Sequence, residues 1–139
     1  MDLPGAEDSL LIRTDYSDDL AWEQIAEAIR APAGEFRAYV AVVSDRRYQG
    51  LSAAEVVDLL PEDFDKSFIF IGDETTVRHP EHPVLVVDLY EERGRTFRVI
   101  PSQMWSVENN LSIANMDFDE FVDYVEADGV FRGFPDSAG

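Results

Sequence analysis

Three short apolar runs separated by two helix-patterned stretches, all within residues 9–73, constrain this chain more than any other feature. The first run, Ser9-Leu10-Leu11-Ile12-Arg13-Thr14, is bounded by polar residues and reads as a buried strand. Helix N-cap residue types follow at Asp15-Tyr16-Ser17-Asp18-Asp19. From Trp22 the apolar positions Trp22, Ile25, Ala26 and Ile29 fall at i, i+3, i+4 and i+7, and Pro32 and Gly34 stop the helix. A second strand is expected over Phe36–Val43, where Val40-Ala41-Val42-Val43 is too apolar for a strand wet on one face. Ser52 and Glu55 have capping-box spacing, and the helix they open is expected to bury Val56, Leu59 and Leu60 before Pro61 limits it. Phe68-Ile69-Phe70-Ile71 forms the third run and ends at Gly72-Asp73.

Strand, helix, strand, helix, strand in so short a stretch implies a parallel β-α-β-α-β unit with helices on both faces. The second half has a different pattern. After the proline-bounded loop His79-Pro80-Glu81-His82-Pro83, Val84–Leu89 and Thr96–Ile100 flank a turn at Glu91-Glu92-Arg93-Gly94, which reads as an antiparallel hairpin at the sheet edge. Residues 102–115 lack clean periodicity and read as a short helical or irregular crossover. Asp117 and Glu120 have the spacing of a capping pair, and Phe118, Phe121, Val122 and Val125 form a helical stripe that Gly129 is placed to end. Val130–Phe134 is expected to return as an extended tail. The expected architecture is therefore one three-layer α/β domain over residues 8–135. Its parallel unit is extended by a hairpin, its C-terminal helix packs on the sheet, and residues 1–7 and 136–139 are loose ends.

Two stretches resemble an uncharacterised family of small acidic bacterial α/β proteins with no assigned activity. One is Ser9-Leu10-Leu11-Ile12-Arg13-Thr14-Asp15 through Trp22; the other runs from Asn110-Leu111-Ser112-Ile113-Ala114-Asn115-Met116-Asp117-Phe118 to Ala127-Asp128-Gly129-Val130-Phe131-Arg132-Gly133-Phe134. The likeness spans most of the chain. It implies a standalone domain and carries no chemistry with it.

Charge and missing residue types narrow the functions. With 29 acidic residues against 11 basic, the formal net charge is −18, and the acids divide almost evenly, 15 in residues 1–70 and 14 in residues 71–139. So acidic a surface repels phosphate, which argues against direct nucleic-acid binding and favours cations or a basic protein partner. Adaptation to high salt would produce the same bias. The absence of cysteine removes disulfides, thiolate metal sites and cysteine nucleophiles. The acidic first eight residues have neither a basic nor an apolar leader segment, so a cytoplasmic protein is expected.

Two functional expectations follow. The first is a non-enzymatic acidic interaction protein, such as an inhibitor or immunity factor for a basic partner, needing no cofactor. Its interaction face would be Asp119, Glu120, Asp123 and Glu126 on the last helix, with loop tyrosines Tyr16 and Tyr48 as anchors. The second is a small Mg²⁺-dependent enzyme acting on a phosphorylated substrate. Asp15, Asp45 and Asp73 each follow a parallel strand, the end of an open α/β sheet where ligands bind, and hard cations prefer such oxygen ligands. Aspartates there also serve as turn residues and helix caps, and no glycine-rich phosphate loop accompanies them. His79 and His82 have H-x-x-H spacing, but Pro80 and Pro83 rule out the regular helix that would align them as metal ligands.

Overall fold

A computed structural model describes residues 9–31, 38–113 and 115–134. Six strands, β1 (Ser9–Arg13), β2 (Val40–Val43), β3 (Phe68–Gly72), β4 (Val84–Asp88), β5 (Thr96–Val99) and β6 (Val130–Phe131), form one mixed sheet in the order β2-β1-β3-β4-β5-β6. β1 pairs in parallel with both β2 and β3, β4 and β5 continue antiparallel, and β6 joins β5 in parallel. The parallel unit and the hairpin form as expected, but the returning tail pairs outside β5 as β6, so the hairpin lies inside the sheet and not at its edge.

Every residue of β1 and of β3 is buried. Both strands lie inside the sheet with helices on each face, so their side chains have no wet side to alternate with. One face carries Leu11, Phe70, Val86 and Phe97 under α1 (Asp19–Arg30), α4 (Met104–Ser112) and α5 (Phe118–Val122). The other face carries Leu10, Ile12, Ile69 and Ile71 under α2 (Ala53–Asp58) and a 3-10 turn at Arg46–Tyr48. This makes three layers. No helix among the described residues is long and apolar enough to cross a membrane.

Several local expectations are corrected. β2 begins at Val40, and residues 36 and 37 of the expected longer strand lie outside the described residues. It is an edge strand with Val40, Ala41 and Val42 only half-buried. α2 ends after six residues, which turns Leu59 outward to 51% exposure and buries Val57 instead. Residues 104–112 are a regular helix, held to the sheet by Glu108. This buried carboxylate accepts from Ser9 Oγ at 3.1 Å and from Tyr39 N at 2.9 Å, so α4 is tied to the starts of β1 and β2. A short α3 (Glu74–Arg78) follows β3 and was not anticipated.

The largest departure is at the C-terminus, where the expected helix over 117–128 stops at Val122. Tyr124 N and Val125 N then donate three residues back, to Phe121 O and Val122 O, and Glu126 N donates forward to Val130 O. The chain turns because β6 must reach β5, where Phe131 meets Phe121 edge to face at 5.2 Å. Helix-helix neighbours at i and i+4 therefore do not run through Asp119, Asp123 and Glu126 as a continuous face.

Candidate functional site

The two ends of the sheet treat their carboxylates differently. Because β1, β2 and β3 run in one direction, Asp15, Asp45 and Asp73 all emerge at one rim, as the strand order requires. Each is engaged locally. Asp15 accepts from the backbone N–H of Ser17 at 2.8 Å and from its hydroxyl. Asp45 caps the 3-10 turn by accepting from Arg47 N at 3.0 Å. Asp73 caps α3 through Thr76 N at 3.1 Å and receives two bonds from the Arg98 guanidinium, at 3.0 and 2.7 Å. Burial alone would raise the Asp73 pKa, but Arg98 and Thr76 outweigh it and hold the carboxyl below its ordinary value.

Beside them Arg13 is nearly buried. Its guanidinium lies 4.2 Å above the Tyr16 ring and 5.1 Å from Trp22, and it donates to Asp19 at 2.7 Å and to Asp15 O at 2.9 Å. Arg46 approaches the Tyr16 ring at 4.6 Å. Tyr16 is thus packed against two cations, with its hydroxyl buried; desolvation raises its pKa despite the lowering influence of Arg13 and Arg46. Tyr48, expected as a loop anchor, is 2% exposed and packs under the sheet with Val56 and Ile71, so it offers no surface to a partner. Among the described residues no three His, Asp or Glu side chains are arranged to hold a metal ion. His79 and His82 instead bond their own loop: His79 Nδ1 accepts from Glu81 N, and His82 Nδ1 pairs with Thr76 O.

At the opposite rim, where β3 begins and β4 ends, a recess of about 320 Å³ opens between the end of α4 and the entry to α5. Phe68, Leu111, Met116 and Phe118 supply its apolar lining. Asp65, Asp88, Glu91 and Asp117 surround that lining, and among the described residues no lysine or arginine lines it. Asp88 shapes the lip: its buried carboxylate accepts from the N–H groups of Tyr90, Glu91 and Glu92, curling the β4–β5 turn and leaving Tyr90 79% exposed. The Glu91 pKa is raised, first by desolvation and then by the negative charges of Asp117, Asp119 and Asp88. Arg95, which pairs with Asp119, opposes that rise without cancelling it.

The acidic side chains expected on the last helix are less available. Asp119 pairs with Arg95, and Glu126 lies 3.3 Å from Arg132, which also binds Glu81 and Asp128. Glu120 closes the capping box by accepting from Asp117 N at 2.9 Å. Asp123 is exposed, and no ion pair to it occurs among the described residues. The recess itself escaped the sequence reading, because Asp65, Asp88–Glu91 and Leu111–Phe118 belong to separate segments that only the sheet brings together.

A family model described as a domain of unknown function (DUF6924) matches residues 8–134. No curated protein sequence matches the chain.

Proposed function

We propose, for a chain that belongs to the DUF6924 family, that it is a non-enzymatic acidic interaction protein whose recess between α4, α5 and the β4–β5 turn receives a basic partner protein. An inhibitor or immunity factor for that partner is the role in view. The observation that carries the reading is an apolar hollow ringed by four carboxylates with no basic side chain lining it among the described residues. Elsewhere in the molecule arginines are placed against carboxylates, as at Asp73 and Asp128. A chain of net charge −18 adds a long-range field that draws a cationic partner in and orients it at low salt. The apolar lining then gives the encounter something to bury.

The competing reading, a magnesium-dependent enzyme acting through Asp15, Asp45 and Asp73, has less support. Those carboxylates already serve a turn, a cap and an ion pair.

The test is a titration of the isotopically labelled chain with a short peptide of lysine and arginine, followed by amide chemical shifts. Shifts should concentrate at residues 88–91 and 111–118 and fade with added salt. Glu91→Gln with Asp117→Asn should weaken binding about tenfold, equivalent to about 1.4 kcal/mol. Asparagine still caps a helix, so α5 survives the change. Asp123→Asn should leave binding as it was. Shifts scattered evenly over the acidic surface, or binding indifferent to the double change, would overturn the reading.

A further inference from the structure

We infer that the recess is a socket for one arginine side chain of the partner, an inference that rests on the basic-partner reading above. Size is the first argument. At about 320 Å³ the hollow lies at the small end of ligand pockets, which run from about 300 to 1,000 Å³. That suits a single long side chain better than a folded segment. Composition is the second. Leu111 and Met116 present hydrocarbon on which the methylene stem of a long basic residue can lie while its charged head stays at the mouth. At that mouth Glu91 and Asp117 offer carboxylate oxygens, which a planar guanidinium engages through paired N–H bonds and an ammonium meets only as a point charge. Tyr90, on the lip and largely exposed, supplies an aromatic face for the same group.

The molecule already contains this arrangement with its own arginine as the occupant. At the other rim Arg13 is held over the Tyr16 ring at 4.2 Å while it donates to Asp19 at 2.7 Å, with its side chain only 8% exposed. Tyrosine, carboxylate and a hydrophobic wall (there Trp22) recur around the recess, where no arginine lines the space among the described residues. Desolvation and then the charges of Asp117, Asp119 and Asp88 raise the Glu91 pKa, with Arg95 opposing, so a further cation brought to this site would relieve repulsion.

Calorimetric titration of the intact chain with hexa-arginine and with hexa-lysine at equal salt tests the idea, since the two peptides match in charge and differ in head group. The arginine peptide should bind about tenfold tighter. Tyr90→Ala, at a residue too exposed to matter for folding, should weaken the arginine peptide about fivefold and the lysine peptide less. Equal affinity for both peptides would overturn the arginine socket and leave the basic-partner reading standing. An arginine preference that survives both Tyr90→Ala and Asp117→Asn would place the socket elsewhere and overturn it here. If neither peptide binds, both readings fall.

Discussion

Where β1, β2 and β3 end, the acidic side chains are anchored: Asp15 to its own turn, Asp45 to a cap, Asp73 to Arg98, and Asp19 to Arg13. Where β3 begins and β4 ends, Glu91 and Asp117 stand with Asp65 and Asp88 around an apolar hollow, and desolvation together with the neighbouring carboxylates raises the Glu91 pKa against the opposing charge of Arg95. The two rims belong to one sheet and are similarly rich in aspartate. The difference is where the few cations went. With 11 basic residues for 29 acids, arginine placement decides which carboxylates act as structural fasteners and which remain as an unpaired field. A rim position favoured for ligands by strand direction is therefore less telling here than the pairing state of the groups that occupy it.

The comparison makes opposite predictions for substitutions at the two rims. The largest effect is expected at the fastened rim from Arg98→Met, which strands the three-quarters-buried carboxylate of Asp73. Unfolding in urea should show a loss of about 2–3 kcal/mol at neutral pH, somewhat below the range for fully buried pairs. Because Asp73 has a folded-state pKa below its ordinary 3.8, the stabilisation of the pair is complete above that value and is lost as pH falls through the lower, folded one. The gap between wild type and variant should accordingly narrow in acid; a gap constant from neutral pH to below that range would contradict the pairing.

Gly72→Ala comes next. A Cβ there would lie 2.3 Å from Cζ3 and 2.5 Å from Cη2 of Trp22, so the indole that closes this rim must move. A loss of about 2 kcal/mol is expected, with a change in tryptophan emission. A neutral outcome would show that Trp22 is not a fixed wall. Asp45→Ala should cost about 1 kcal/mol as a lost cap, and the cost should be the same with or without magnesium. Stabilisation by magnesium in the wild type that disappears in this variant would revive the enzyme reading.

The smallest effect has the opposite sign. Glu91→Gln removes a charge that its neighbours repel, so the urea midpoint should rise slightly at neutral pH. With a folded-state pKa above the unfolded one, ionised Glu91 weakens the fold only as pH climbs through the interval between them. The gain should therefore vanish in acid. A midpoint that falls instead would mean that Glu91 has a cationic partner, and the contrast between the rims would collapse.

Much of the architecture could be read before any coordinates. The uninterrupted apolar runs of β1 and β3 require cover on both faces, and Trp22, Ile25 and Ile29 mark the buried side of α1. The hairpin and the returning β6 were also legible, the first from its glycine turn and the second from Val130-Phe131. The short helices were harder. α3 is only one turn, too brief for periodicity, and is signalled only by Asp73 and Thr76. α5 looked longer because Val122 and Val125 continue its stripe, yet the pull of β6 toward β5 ends the helix first. Tyr48 looked exposed because loops usually are, whereas its 3-10 turn folds under the sheet.

By itself the sequence determined the α/β layering and the excess of negative charge, since hydrophobic periodicity and residue counts are properties of the chain alone. Only the tertiary structure decided which carboxylates meet a cation. Ion pairs such as Asp73–Arg98 and the clustering of Asp65, Glu91 and Asp117 join positions tens of residues apart. Electrostatic energy depends on separation in space, and sequence spacing fixes that only within a helical turn or a hairpin.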